Sequence, residues 1–281
     1  MKKRKMKTML TEARHFGYGI AAINVSNMET ILAILSAADR LDQPVILQVS
    51  PMQKQAQGFE YCDIVMMIDM LATHFDHGEY SIHLDHCETV EECILASGAG
   101  FDSVMLDKSH EAIDINISEV GRLRKALPSV CVEAELGCVG GAEGTGEGNG
   151  MIFTDPAVAS DFVEKTGSDC LAVSIGNAHG FYRSEPALRF DLLKQIADQT
   201  EVPLVLHGAS GISPEDLRKA VELGISKINF FTTLDHAFCS GLRDALKEKQ
   251  MMMFVQKAAQ CKMQETAETL INICSGGRKN A

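Results

Sequence analysis

The sequence predicts a (β/α)8 barrel formed as a single domain over residues 1–281. Short β-branched runs recur eight times along the chain. Longer stretches of helical period separate them, which is the pattern of βα units around a parallel sheet. No linker splits the chain into domains, and with 46% hydrophobic and 23% charged residues it is able to bury a full core.

The elements follow in order. Ile20 to Val25 reads as the first strand and Glu29 to Leu41 as its helix; Val45 to Val49 and Asp63 to Thr73 form the second unit. Tyr80 to Leu84 with Val90 to Ser97, Ser103 to Leu106 with Ile117 to Leu127, and Val130 to Leu136 with Pro156 to Thr166 continue the alternation. Cys170 to Ile175 with Ala187 to Gln199, Pro203 to Leu206 with Pro214 to Leu223, and Ser226 to Phe231 with Asp235 to Lys247 complete it. Thr154-Asp155-Pro156 and Ser213-Pro214-Glu215 mark two helix starts, a capping side chain preceding proline in the first turn. Residues 251–281 form a C-terminal helical extension outside the barrel count, suited to packing on a partner subunit.

The formal charge of −12 argues against nucleic acid, whose binding needs clustered Lys and Arg. The one basic cluster, Lys2 to Lys7, is followed by no long apolar stretch, so residues 1–8 read as a solvated tail rather than a signal peptide. No apolar run approaches the roughly 18 residues of a membrane span. Nine cysteines, without a C-x-x-C pair, do not form a disulfide framework, and a reducing cytoplasm is the expected setting.

His86, His179 and His207 each stand where an apolar run gives way to a loop, at the ends of the third, sixth and seventh strands. Barrel active sites are built at such ends, and three imidazoles converging there suit a metal site with an open fourth position. Singly, each is an ordinary loop or core histidine. Asp85 directly precedes the first, as a proton-transfer group or as a partner for a histidine N–H.

The chain resembles the class II, zinc-dependent ketose-bisphosphate aldolases over nearly its whole length. The resemblance rests on His83-Leu84-Asp85-His86, Ser103 to Asp107, Val132 to Gly137, Leu171 to Gly176, His179-Gly180, Pro203 to Gly211, and Lys227-Ile228-Asn229 followed by Thr232. It implies a zinc-dependent TIM barrel that cleaves a phosphorylated ketose, a 1,6-bisphosphate or a related 1-phosphate, reversibly into dihydroxyacetone phosphate and an aldehyde. It further implies one catalytic Zn2+ per chain, held by His86, His179 and His207, room for a monovalent cation, and a homodimer or homotetramer.

The resemblance assigns Asp85 the proton of the C4 hydroxyl, and Glu143, after Gly140-Gly141 in a glycine-rich loop, exchange of the C1 proton of dihydroxyacetone phosphate. Asp107 and Glu135 match carboxylates that orient the metal ligands or hold zinc in an alternative position; a solvated rim or a salt bridge is the plain alternative. Gly208, Ala209 and Ser210, with Asn229, Phe230, Phe231 and Thr232, fall in the two loops where many barrels bind phosphate, and Gly180 adds a contact. These glycines also suit simple turns.

The chemistry agrees. C3–C4 cleavage leaves an enediolate that needs either a lysine Schiff base or a divalent metal, and the only strand lysine, Lys227, lies in a motif that the zinc family shares. A metal hydrolase is the alternative enzyme, but Ala22-Ile23-Asn24 stands where its H-x-H pair belongs. A non-catalytic sugar-phosphate binder is the other alternative, disfavoured by Asp85 and all three histidines. Phe230 and Phe231 replace usually small residues, Lys108 a usual glycine, and Asn177 a frequent threonine, which together point to a less common phosphorylated ketose. Ser50, Lys108, Arg183 and Arg278 are the candidates for the distal end of the substrate.

Overall fold

The computed structural model describes residues 1–141, 150–180, 182, 186–248 and 251–277. The chain opens with a two-residue strand, β1 (Lys2–Lys3), paired with Glu79 and Tyr80, and then a helix, α1 (Met6–Phe16). This overturns the expectation of a solvated basic tail. Arg4 bridges Glu12 and Glu79 at 2.6 Å each, and Met6, Met9, Leu10 and Ala13 are buried. The apolar face of α1 packs with Ile20, Ala22, Ile46, Cys170 and Val205, closing the N-terminal end of the barrel. Basic side chains snorkel while the stripe beside them is buried, so charge density alone misreads this segment.

Eight parallel strands form the barrel: β2 (Ile20–Asn24), β3 (Val45–Val49), β4 (Glu79–Cys87), β5 (Ser103–Leu106), β6 (Cys131–Leu136), β7 (Cys170–Val173), β8 (Leu204–Leu206) and β9 (Ile225–Phe230). Each pairs with the next, and β9 returns to β2. All eight predicted strands are present within a few residues. Around them run α2 (Met28–Leu41), α3 (Pro51–Gln57), α4 (Tyr61–Ala72), α5 (Val90–Ala99), α6 (Ile113–Ala126), α7 (Pro156–Thr166), α8 (Phe190–Gln199), α9 (Pro214–Glu222), α10 (Thr232–Ala245) and α11 (Met252–Ser275). The capping side chains of Asp155 and Ser213 accept backbone N–H groups as expected. Only α1 and α3 have no counterpart in the sequence reading. The extension, α11, buries Val255, Ala259, Met263, Ala267 and Ile271 and packs on α10 and α2 of its own chain.

Strand period two sorts the side chains. Leu84, Val104, Val132, Leu171, Leu206, Ile228 and Phe230 point outward into one cluster with the helices. The inward set runs from apolar residues over α1 to Asn24, Gln48, Asp85, Glu133, Glu135, His207 and Asn229 toward the C-terminal ends, all less than a tenth exposed. No described helix is long and apolar enough to cross a membrane.

Candidate active site

A regular strand would send Asp85 and His86 to opposite faces. In β4 the pairing with β5 shifts between Leu84 and Cys87, and His86 has φ 44°, a left-handed conformation uncommon for a residue with a Cβ. This bulge brings both side chains to the barrel mouth. Such backbone cost persists where surrounding structure holds it in place.

His86, His179 and His207 then converge. Their ring centroids are 4.8, 4.6 and 5.8 Å apart, the rings nearly perpendicular, and one nitrogen from each lies within 4.8 Å of the others. His86 Nδ1 is 2.8 Å from Asp107 Oδ2, and His207 Nε2 is 2.8 Å from Glu133 Oε1. Each carboxylate calls for an N–H on the nitrogen facing it, which leaves lone pairs on His86 Nε2 and His207 Nδ1, and those two atoms face each other at 2.8 Å. Two acceptors so close need a cation or a shared proton between them. Burial, then the neighbouring His86, pushes His179 and His207 well below the usual imidazole range, keeping both neutral and able to ligate. The donor set therefore fits zinc, whose tetrahedral nitrogen ligands stand about 3.3 Å apart.

Burial raises the Asp107 carboxyl, but its hydrogen bond to His86 outweighs this and holds it low. Burial and then Asp107 push Glu135 the other way. Glu135 Oε1 accepts the Val139 N–H at 2.9 Å, and His86, Asp107 and Glu135 form a second group with donor atoms within 4.8 Å.

Asp85 is fully buried among amides. Gln48 Nε2 and Asn24 Nδ2 donate to its Oδ2 at 2.9 and 3.2 Å, and Asn229 Nδ2 to its Oδ1 at 3.1 Å. Asn229 Nδ2 also lies 3.2 Å from His207 Nδ1, tying the acid to the histidines. Neutral donors fix the carboxylate without neutralising it.

The loops after β7, β8 and β9 are stitched together. Asn177 accepts the Ile175 N–H and donates to the carbonyls of Val173 and His207; Tyr182 Oη accepts from Ala178 N and donates to Gly208 O, both at 2.8 Å. Gly208, at φ 61°, lies so near Ala178 that a Cβ would sit 2.3 Å from its carbonyl oxygen. Ser210 Oγ accepts the Thr233 N–H at 3.2 Å, joining the loop of Gly208 to Ser210 to the start of α10, whose N-cap, Phe231, makes no side-chain cap. Gly180, at φ 87°, follows His179.

One expectation for the phosphate loops needs correction. The Phe230 ring lies in the core between sheet and helices because it sits at an outward position of β9, so it does not face the barrel mouth. The Asn229 side chain serves Asp85, while its carbonyl accepts the Ala209 N–H at 3.3 Å. Ser50 caps α3. Glu143, Arg183 and Arg278 lie outside the described residues.

Asn24, Gln48 and Glu133 are site residues that the sequence reading does not single out. The signal was present: a lone polar residue ends each apolar run Ile20-Ala21-Ala22-Ile23-Asn24 and Val45-Ile46-Leu47-Gln48, and Glu133 shares the inward period of Glu135.

A model of the family described as "Fructose-bisphosphate aldolase class-II" matches residues 4–279. A fructose-bisphosphate aldolase of Geobacillus stearothermophilus is 41% identical over 245 residues, covering 86% of this chain and 85% of its own. The crystal structure of the YdjI aldolase from Escherichia coli K12 superposes with a TM-score of 0.88 at 31% identity, over 99% of this chain and 100% of that one. A putative fructose-1,6-bisphosphate aldolase from Coccidioides immitis gives 0.89 at 27% identity, over 98% and 97%.

Proposed function

The chain belongs to the class II fructose-bisphosphate aldolase family, and from that premise we propose that it is a zinc enzyme whose metal is held by His86, His179 and His207. It is an aldolase, a carbon–carbon lyase that cleaves a ketose bisphosphate. The observation that supports this assignment best is the amide-held Asp85 tied through Asn229 to the histidine cluster.

When bound, zinc supplies the positive charge that the substrate carbonyl and the enediolate require. Asp85 removes the C4 hydroxyl proton in cleavage and returns it in condensation, its direction set by the three amides. Glu143 is assigned the C1 proton. Asp107 and Glu133 hold the rings of His86 and His207, and Glu135 with Asp107 offers the alternative cation position. The phosphate of dihydroxyacetone phosphate binds, on this reading, at Gly180, at Gly208 to Ser210 and at the start of α10 with Thr232, where Phe231 supplies no side-chain cap and backbone N–H groups suit an anion.

The N-cap Phe231 and the rim Lys108 bear on substrate choice, and the reading is a less common phosphorylated ketose. The cytoplasm remains the proposed location and a homo-oligomer the proposed assembly, for which the exposed Leu246, Met251, Met252, Met253 and Phe254 offer apolar surface.

The test is steady-state cleavage of fructose and tagatose 1,6-bisphosphates and of ketose 1-phosphates, read as release of dihydroxyacetone phosphate. Zinc-loaded protein is expected to release it from at least one ketose, and no release from any would overturn the assignment. Full, selective activity on fructose bisphosphate would rule out the less common ketose.

A further inference from the structure

We propose that Gln53 is a positioning residue for the cleavage step, acting through Asn24 on Asp85; this rests on the reading of Asp85 as the proton-transfer group. Gln53 is the third residue of α3 and only 6% exposed. It forms a capping box with Ser50, whose hydroxyl accepts the Gln53 N–H at 3.3 Å while the Ser50 N–H donates to Gln53 Oε1 at 3.0 Å.

A capping box asks nothing more of the side chain. Here the same Oε1 accepts a second donor from another strand, Asn24 Nδ2 at 2.9 Å. The Gln53 Nε2 points the other way, toward Ser26 Oγ at 3.4 Å.

Asn24 is thereby fully committed. One N–H goes to Gln53, the other to Asp85, and its carbonyl accepts Gln48 Nε2 at 2.8 Å. The backbone N–H of Ser50 holds the Gln53 carbonyl in place, so Asn24 keeps its NH2 toward the carboxylate and its oxygen toward Gln48. Both amides on Asp85 Oδ2 inherit their orientation from one oxygen on α3. Without that acceptor a buried N–H of Asn24 is stranded, and amides so placed rotate to recover partners. Asp85 then loses its fixed direction, to which proton transfer from C4 is sensitive. Exchange of the C1 hydrogen of dihydroxyacetone phosphate, assigned to Glu143, does not involve Asp85 and is spared.

The experiment uses full-length, zinc-loaded protein carrying Gln53→Met, Gln53→Glu, Asn24→Ala or Asp85→Asn, and the combined Gln53→Met, Asn24→Ala. Steady-state cleavage is measured beside C1 exchange of dihydroxyacetone phosphate in deuterated water. Gln53→Met is expected to lower kcat for cleavage about tenfold or more with KM little changed, as for a misplaced catalytic group, while exchange holds its wild-type rate. Gln53→Glu, which keeps an acceptor oxygen, recovers most of the loss. The combined variant is expected to be no worse than Asn24→Ala alone, since both act through one contact.

Unchanged kcat with a lowered melting temperature would reduce Gln53 to a helix cap and overturn the proposal, as would an equal fall in cleavage and exchange or full additivity with Asn24→Ala. If Gln53→Met does not fold, Gln53→Ala, which leaves the Ser50 hydroxyl as cap, is read the same way. Undiminished cleavage by Asp85→Asn would instead remove the reading of Asp85 itself.

Discussion

Glu133 and His207 share a 2.8 Å hydrogen bond inside the barrel, and neither side chain reaches solvent. The other carboxylate oxygen holds Lys227 Nζ at 2.9 Å and lies 3.6 Å from His83 Nε2. Burial raises the Glu133 carboxyl, but the charge of Lys227 and its hydrogen bond overcome this and keep it ionised. A buried ammonium thus anchors the acid that sets which nitrogen of His207 faces the other histidines.

Glu133→Gln removes that charge while keeping the shape. The ring of His207 loses its ionised acceptor, so zinc affinity is expected to fall roughly 10- to 100-fold. Lys227 is left as a buried charge without its counterion, which costs about 3 kcal/mol or more. Competition with a chromophoric chelator reads the first effect and urea unfolding the second. Wild-type zinc affinity in this variant would show that His207 is oriented by other groups.

Asp85→Asn separates proton transfer from metal binding. The three amides that donate to Asp85 would face one carbonyl and one NH2, and no base would stand near the C4 hydroxyl. Cleavage is expected to drop by roughly 10²- to 10⁴-fold, the usual worth of a positioned base. Zinc content, measured by atomic absorption, should stay at the wild-type level. A rate within a few-fold of wild type would remove Asp85 from the reaction.

Chelation is expected to abolish cleavage, and zinc to restore it. Because the metal binds only where His86, His179 and His207 are gathered, zinc also stabilises the fold, by about 2.7 kcal/mol at a hundredfold excess over Kd. Thermal unfolding with and without zinc measures this, and His179→Ala should erase the shift. Metal-free protein that cleaves at full rate would leave the three histidines without a chemical role.

The barrel is legible in the sequence because each strand is a compact apolar run between turn residues, and outward positions such as Leu84, Leu206 and Ile228 must be apolar to meet the helices. His86 and His207 are legible because they stand at the ends of β4 and β8, and His179 because it lies in the loop that leaves β7 at the same rim. What the sequence hides is geometry that breaks a period or joins distant residues. Nothing in His83 to Cys87 announces the bulge that turns His86 beside Asp85, and Gln48, Asn24 and Asn229 meet only once the sheet closes. The helix α1 is hidden for another reason: its buried methionines alternate with the charges that make it look like a tail.

Acid should unfold the metal-free protein in two stages, the first set by buried imidazoles. Burial above all, with Lys227 adding for His83 and His207, depresses His83, His179 and His207 far below their ordinary range, so the native protein keeps them neutral. Unfolded imidazoles titrate near pH 6.5. Above that pH neither state binds these protons and stability is complete; below it the unfolded chain takes up protons that the native one refuses, and stability falls by about 1.4 kcal/mol per pH unit for each such ring. Glu133 and Asp107, held low by their partners, add a second loss only as the pH drops below the ordinary carboxylate range. Urea unfolding of chelated protein between pH 7.5 and 5 should show the first slope. His83 stands apart from the three converging rings, its Nδ1 on Ser103 Oγ at 2.8 Å, so His83→Gln should reduce that slope by about one ring's share. An unchanged slope would mean that His83 takes up its proton inside the folded barrel.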